Sequence, residues 1–248
     1  MTRSATPGFG VAVARLFTIQ AAFTYERMLG IGFGFVAEPL LRGLRRNGDT
    51  PAFRGALARQ SRFFNAHPYL ASLAVGAAVR AELDGVQPEK IERLRSALTG
   101  PLGSLGDRLI WAGWLPACAA IGLLLVALSA GPWAVVAFLL LYNVMHVWLR
   151  VWGLKAGLRS GVGVAAALAA PGLQRALQLT TPIAAFLVGG ALVSVLAWIP
   201  VQSRWETAVG AVVALLFAGV VRAIQPRATG MVVAGGVLAV VLVVGVVW

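Results

Sequence analysis

The stretch from Leu109 to Leu149 contains 41 residues and not one Asp, Glu, Lys or Arg. An apolar run of about 20 residues is long enough to cross a bilayer as a helix. This stretch therefore predicts two successive transmembrane helices. Gly131-Pro132 lies near its middle and is typical of a turn that would join them. The feature alone favours an integral membrane protein over a soluble fold.

The composition agrees with this prediction. Of the 248 residues, 59% are hydrophobic and 12% are charged, whereas a soluble domain carries roughly 25% charged residues. The net charge of +12 would suggest nucleic acid in a soluble protein. In a membrane protein it indicates the positive-inside bias and contact with anionic lipid headgroups. No aromatic-basic motif of an RNA-binding module is present, so we expect no nucleic-acid partner.

Apolar runs in residues 99–248 predict a transmembrane domain of about five helices. We place them near residues 109–130, 133–149, 180–200, 207–224 and 229–248. If the spans alternate and the N-terminal half is cytoplasmic, Arg204 is the only basic residue that falls outside. The positive-inside rule therefore predicts a multi-pass protein with a cytoplasmic N-terminus.

Residues 1–98 predict a different organisation, made of cytoplasmic or interfacial helices. The apolar runs Phe9–Phe23 and Met28–Leu41 are too short to span a bilayer upright, so we predict interfacial or re-entrant helices there. A helix is expected from Pro51 and a helix break at Pro68. The predicted fold is an all-α integral membrane protein, with these N-terminal helices followed by the spans and by broken-helix hairpins.

Two polar groups in apolar surroundings have alternative interpretations. Asn65 and His67 flank the predicted break, so they form either a helix cap with a surface histidine or part of a substrate site, as broken helices do in transporters. Asn143 and His146 share one face of the second span and predict an interhelical hydrogen bond.

The glycine-rich stretch Thr99–Pro116 also has two readings. It carries Asp107 and Arg108 at the start of the uncharged run, so the pair marks either the membrane boundary or a polar site within the membrane.

No residue pattern in the chain predicts catalysis or metal binding. The two histidines and the single cysteine, Cys118, lack clustered carboxylates, so we expect no metal site. The glycines of residues 100–106 are not followed by the Lys-Ser/Thr of a phosphate-binding loop. No Ser-His-Asp ordering and no dinucleotide fingerprint occur in the required context. We therefore expect no cofactor and no enzymatic activity by this chain alone.

Five stretches between residues 15 and 160 together resemble the IID subunit of the mannose/fructose/sorbose-type sugar phosphotransferase system. They are Gln20 with Tyr25-Glu26-Arg27-Met28 and Gly30/Gly34; Arg62-Phe63-Phe64-Asn65-Ala66-His67-Pro68-Tyr69; Gly100-Pro101-Leu102-Gly103-Ser104-Leu105-Gly106-Asp107; Trp111 with Pro116; and Gly153 with Lys155-Ala156-Gly157. Each stretch alone is a weak signal, but five in the family's order are specific.

The resemblance implies a hetero-oligomeric subunit of the bacterial cytoplasmic (inner) membrane. Such a subunit forms the translocation unit with the membrane subunit IIC, and the cytoplasmic subunits IIB and IIA supply the phosphoryl group for a hexose-type sugar. The resemblance favours a glycine-rich hairpin over residues 99–116, with Asn65, His67 and Asp107 as candidates for the substrate path. The partner and structural motif candidates are Glu26, Arg27, Gly100, Pro101, Gly103, Gly106, Trp111 and Lys155.

The chain departs from the family pattern at Arg108 and at Ala112–Pro116, where the family's hydroxyl and arginine are missing. These departures motivate an alternative interpretation, a membrane scaffold or regulatory subunit that does not transport sugar.

Overall fold

A computed structural model describes residues 7–46 and 48–196 of the chain, and all regular secondary structure in this part is helical, as predicted. The helices are α1 (Phe9–Leu16), α2 (Gly30–Arg46), α3 (Thr50–Gln60), α4 (Ala71–Leu83), α5 (Pro88–Gly106), a π-helix (Asp107–Trp114), α6 (Leu115–Ala127), α7 (Trp133–Ser160), a 3₁₀ turn (Gly161–Gly163), α8 (Ala165–Leu168) and α9 (Pro171–Leu196).

Helix α4 forms the centre of the core. Its residues from Ala71 to Val79 are all buried, because small and apolar side chains cover every face of this helix. A helix that is apolar all round is stable only when other elements surround it. Helix α7 packs along α4, and α2 and α5 also pack against it.

The crossing of α4 and α7 depends on glycines. A Cβ atom added at Gly157 of α7 would lie 2.7 Å from the backbone nitrogen of Ala77 and 2.9 Å from Cα of Gly76. Gly153, one turn earlier, lies against Ser72 in the same way. Small residues spaced four apart allow the backbones of two helices to touch, as they do in membrane helix pairs.

The helix predicted from Pro51 and the break predicted at Pro68 are both confirmed. Helix α3 begins at Thr50, where the Asp49 carboxylate accepts a hydrogen bond from the Ala52 N–H at 2.9 Å, and it ends at Gln60. Residues 61–70 are non-helical before α4 begins at Ala71. The short apolar runs predicted as separate helices correspond to α1 and α2.

The hairpin predicted over residues 99–116 is wrong. Helices α5, the π-helix and α6 follow one another without a turn and form one helix of 40 residues, Pro88–Ala127. Glycines and prolines weaken a helix in water, but in an apolar environment each backbone polar group is best satisfied within the helix itself. The helical geometry therefore continues through Gly100, Pro101 and Gly103.

Two helices of the described residues are long and apolar enough to cross a membrane, Pro88–Ala127 and Trp133–Gly163. They are joined at Gly131, whose φ of 56° requires a turn residue, as predicted from the Gly-Pro pair. Their apolar side chains are mostly left uncovered by the other described residues, which suits contact with lipid or with a partner. Helix α9 overlaps the span predicted near residues 180–200, and the spans predicted at 207–224 and 229–248 lie outside the described residues.

Candidate functional site

A cleft of about 540 Å³ lies between the non-helical segment after α3 and one face of the long helix Pro88–Ala127. The described residues that line it are Phe63, Asn65, Ala66, His67, Pro68, Thr99, Gly100, Gly103, Ser104, Asp107 and Trp111. The three residues predicted for the substrate path, Asn65, His67 and Asp107, are therefore brought to one cleft although about 40 residues separate the first two from the third.

Arg95 holds the segment that forms the first wall. This buried side chain donates hydrogen bonds to the backbone carbonyls of Arg59 (2.6 Å), Gln60 (3.2 Å) and Arg62 (3.1 Å). These are carbonyls at and just beyond the C-terminus of α3, which lack partners within the helix. The guanidinium also lies 4.8 Å from the ring centroid of Phe33, a favourable cation–π distance.

The loop before α2 supports the same segment from another side. The N–H of Leu29 donates to the carbonyl of Phe64 at 2.9 Å, and the N–H of Phe64 donates to the carbonyl of Arg27 at 3.3 Å. Of the partner and structural motif candidates in this loop, Glu26 and Arg27 both have exposed side chains. Arg27 therefore supports the wall of the cleft through its backbone, whereas its side chain points to the outside.

His67 closes the turn that leads into α4, whose N-cap residue is Leu70. Its Nδ1 accepts a hydrogen bond from the N–H of Tyr69 at 3.3 Å, and its carbonyl accepts from Leu70 (3.1 Å) and Ala71 (2.9 Å). A nitrogen that accepts a hydrogen bond carries no proton, so the neutral imidazole is protonated at Nε2. His67 lies outside both apolar spans, and burial, with a smaller contribution from Arg150, lowers its pKa to about 4, which agrees with a neutral ring.

The first reading of Asn65 and His67, a helix cap with a surface histidine, is wrong. The N-cap of α4 is Leu70, and the histidine is buried, with 3% of its surface exposed, rather than surface-facing. At the same time both residues line the cleft. Nε2 of His67 has no hydrogen-bond partner among the described residues and is itself enclosed by protein atoms.

The second wall is built from small residues on one face of the long helix. Gly100, Gly103, Asp107 and Trp111 recur at spacings of three and four, which places them on one side of a helix. Gly106 is needed for close approach, because a Cβ atom there would overlap Cβ and Cγ of His67. Of the remaining motif candidates, Pro101 lies exposed inside α5 and does not line the cleft.

The π-helix orients Asp107 and Trp111. The N–H of Leu115 donates to the carbonyl of Ile110, five residues back, which is the π pattern. Pro116 has no N–H to continue an α-helical ladder at this point, which favours the wider turn. Helices of this kind are rare and occur frequently at functional sites. Trp111 is half exposed, and its ring centroid lies 5.6 Å from that of His67.

A second polar cluster lies behind His67, on the side away from the cleft. The ring of His146 stacks on Tyr69 with centroids 4.1 Å apart, and the Tyr69 and Tyr142 hydroxyls are 2.6 Å apart. Arg150 is buried, donates to the carbonyl of Leu16 and lies 4.8 Å from the Tyr69 ring centroid. The cluster therefore connects α7 and α1 to Tyr69, which directly follows His67 and Pro68.

The interhelical hydrogen bond predicted for Asn143 and His146 is not formed among the described residues. Asn143 is exposed and donates to the Leu139 carbonyl of its own helix at 2.8 Å, because its side chain points away from α4. His146 instead contacts Tyr69 through the face of its ring.

Lys155, the last motif candidate, is exposed. Its Nζ lies 5.7 Å from the Phe9 ring centroid, so the side chain contacts α1 rather than the cleft.

The supporting roles of Arg95 and Arg150 were not apparent from the order of residues. Arg95 occurs in a charged helix where a solvated arginine is the ordinary expectation, and Arg150 ends an apolar span, where arginines commonly mark the boundary. The spacing of Gly153, Gly157 and Gly161 at intervals of four could have predicted the α4–α7 contact. Among the described residues no group of three or more His, Cys, Asp or Glu side chains is placed to hold a metal ion.

The model for the PTS system mannose/fructose/sorbose family IID component matches residues 9–248 of this chain. The sorbose-specific EIID component of Klebsiella pneumoniae is 31% identical over 68% of this chain and 63% of its own length. The fructose permease IID component of Bacillus subtilis is 30% identical over 71% of this chain and 64% of its own. The mannose-specific EIID component of Escherichia coli K12 is 27% identical over 68% and 61%. The matches thus span less than two thirds of the length of these curated relatives.

Two solved structures have the same fold. A chain of the cryo-EM structure titled as the mannose transporter ManYZ in complex with microcin E492 matches with a TM-score of 0.58 at 20% identity, over 100% of this chain and 96% of the other. A structure titled as a membrane protein matches with a TM-score of 0.70 at 18% identity, over 95% and 94%. The resemblance drawn from the five stretches is confirmed by the match over nearly the whole chain. The chain belongs to the mannose/fructose/sorbose family of IID components of the sugar phosphotransferase system.

Proposed function

We propose that this chain is the IID subunit of a mannose-family permease, and that it forms with IIC the unit through which a hexose enters the cell while IIB phosphorylates it. The observation that carries the proposal is the cleft, which gathers Asn65, His67 and Asp107 beside the aromatic face of Trp111. An amide and a carboxylate match the hydroxyl groups of a sugar, and an aromatic ring matches its apolar face.

The partners in this proposal follow from membership of the family. The curated relatives are named for sorbose, mannose and fructose, so the substrate class we propose is a free hexose. IIC covers part of the apolar surface of α6 and α7, and lipid covers the remainder. Exposed arginines such as Arg54 and Arg93 give a basic surface on which IIB and IIA could dock if, as proposed, this part faces the cytoplasm.

The proposed location is the bacterial cytoplasmic membrane, with several spans and a cytoplasmic N-terminus. In this orientation nearly all basic residues lie on the cytoplasmic side of the proposed spans. The positive-inside rule therefore supports it. In this arrangement the chain binds and positions the sugar, and it supplies no phosphorylated residue of its own.

The proposal is tested by uptake and phosphorylation of a hexose in vesicles that contain this chain with its cognate IIC, IIB and IIA. We expect transport to require the chain. If vesicles that lack the chain transport equally well, the proposal is wrong. If the chain co-purifies with IIC or IIB but the complex does not phosphorylate sugar, the non-transporting scaffold or regulatory subunit replaces it.

Two substitutions test the cleft within this proposal. We expect Asn65→Ala and Asp107→Ala to lower uptake at least tenfold without preventing assembly with IIC, because each removes a polar group from the lining. Asn143→Ala is the matched control, since it removes an exposed amide whose hydrogen bond, among the described residues, is to its own helix. Wild-type uptake by both cleft variants would exclude the cleft from the sugar path.

A further inference from the structure

The charges around the cleft are asymmetric. Asp107 is the only charged side chain among the described residues that line it. Arg62, which immediately precedes the first wall, forms an ion pair with Glu92, and Arg108 follows Asp107 in the π-helix but does not line the cleft. The described lining therefore presents one negative charge and no positive charge.

The backbone N–H groups that lead into the helix beside the cleft are also largely occupied. The first N–H groups of a helix are a common binding site for phosphate. Of the groups that precede and begin α4, the N–H groups of Tyr69, Leu70 and Ala71 already donate to Nδ1 and to the carbonyl of His67. A phosphate at this helix start would therefore find few free backbone donors.

The remaining polar groups favour a ligand that donates hydrogen bonds. The Thr99 hydroxyl donates a hydrogen bond to the Ser96 carbonyl at 2.7 Å, and the Ser104 hydroxyl donates to the Pro101 carbonyl at 3.3 Å. Both oxygens therefore face the cleft as acceptors, together with the Asp107 carboxylate. On the donor side the exposed Asn65 offers its amide, whereas the Nε2–H of His67 is enclosed by protein atoms.

We propose that this cleft binds the free hexose and rejects its phosphate monoester, and that the Asp107 carboxylate sets this preference. The inference rests on the proposed function, since it concerns the sugar that the same cleft would bind. A sugar has several O–H donors and no charge, which suits the acceptors described above. A phosphate monoester carries about −1.5 to −2 charge and strong acceptor oxygens, which face a carboxylate and too few donors. The phosphorylated product would then leave the cleft instead of competing with the next sugar.

The test uses the complex of the full chain with its cognate IIC in nanodiscs and measures binding by calorimetry. Mannose, fructose and sorbose are tried first, and each hexose that binds is compared with its phosphate monoester. We expect the wild type to bind the free hexose at least tenfold more tightly than the ester, a difference of about 1.4 kcal/mol. Asp107→Asn should reduce this ratio to threefold or less, and Asp107→Glu should retain it.

Glu89→Gln is the matched control. It removes one carboxylate from the same long helix, 18 residues before Asp107 and so roughly 27 Å away along the axis, and it should leave the ratio unchanged. Salt gives a second readout, since screening weakens repulsion between accessible charges. Raising the salt from about 0.05 to 0.5 M should lower the wild-type ratio and leave that of Asp107→Asn unchanged.

The outcomes separate the two proposals. If a hexose binds but its ester binds equally well, the preference is refuted and the proposed function stands. If Asp107→Asn keeps the full ratio, or if the wild-type ratio does not change with salt, Asp107 does not set the preference. If none of the three hexoses binds, both the preference and the assignment of the cleft to the sugar path are wrong. Should Asp107→Asn fail to assemble with IIC, the salt dependence of the wild type decides.

Discussion

Replacing Gly157 by alanine tests the backbone contact between α4 and α7. The added methyl group would overlap the Leu73 carbonyl and would lie 2.7 Å from the Ala77 nitrogen and 2.9 Å from Cα of Gly76. These are backbone atoms of a buried helix, so no side chain can rotate away to make room. The two helices would have to separate along their length, and because α4 begins just after His67, the wall of the cleft would move with them.

The size of the effect follows from two opposing contributions. Overpacking of a tight core costs about 1–3 kcal/mol, and alanine regains up to about 1 kcal/mol of helix propensity over glycine. Because the contacting backbone atoms cannot move aside, we expect an overpacking cost near the upper end of this range and a net loss of stability of about 2 kcal/mol. For a chain of about this size such a loss lowers the midpoint of thermal unfolding by roughly 4–8 °C.

The assay is thermal unfolding of the purified full-length chain in detergent, followed by circular dichroism at one scan rate because membrane proteins commonly unfold irreversibly. Gly10→Ala is the matched control, since Gly10 lies in α1 with no neighbouring atom within 4 Å of an added Cβ. It should melt at or slightly above the wild-type temperature. If Gly157→Ala melts as high as Gly10→Ala, the argument from close backbone contact is refuted.

Three further substitutions follow from the structure. Arg95→Met removes three hydrogen bonds to buried or partly buried carbonyls and should destabilise the chain by about 2–4 kcal/mol, with faster proteolysis of residues 61–70 and only partial recovery in Arg95→Lys. Glu38→Gln removes the ion pairs to Arg42 and Arg15 and should cost about 1 kcal/mol or less. A hydrogen bond from Arg42, with help from Arg15, lowers the pKa of Glu38, so its stabilisation is present above the ordinary carboxyl pKa and is lost as the pH falls through the lowered value. Melting curves of wild type and Glu38→Gln should therefore converge in acid and separate near pH 7; a constant gap would contradict the assignment. Trp111→Ala should weaken hexose binding roughly three- to tenfold and Trp111→Phe less, through the loss of the aromatic face, whereas the exposed Trp133→Ala should have no effect on calorimetric titration.

Local features of the fold were predictable because their causes are local. Asp49 caps the start of α3, and the fixed φ of Pro51 suits its first turn. Pro68 disfavours the helical conformation at the residue before it, His67. The turn at Gly131 follows from its positive φ and the proline beside it. Each of these preferences involves atoms within a few residues of one another, so the order of residues is sufficient to state them.

The continuous helix through Thr99–Pro116 was not predictable in this way. Glycine and proline content argued for a hairpin, but the segment is held on one side by His67 against Gly106 and on the other by Thr180 against Gly113. With these contacts and an apolar environment, helical hydrogen bonds cost less than a turn whose backbone groups lack partners. The π-helix that results decides where Asp107 and Trp111 lie relative to the cleft.

The sequence by itself determined that this chain is helical and membrane-embedded, where α3 begins, that the helix is interrupted by His67-Pro68, and to which family the chain belongs. Hydrophobic length, capping chemistry and ordered motifs are properties of the chain that need no knowledge of its packing. Only the tertiary structure decided that Asn65 and His67 meet Asp107 and Trp111, that α4 is the buried centre, and that Arg95 and Arg150 serve backbone carbonyls. The reason is physical: these relations join residues tens of positions apart, and they depend on which helix faces pack together and how closely glycine lets them approach.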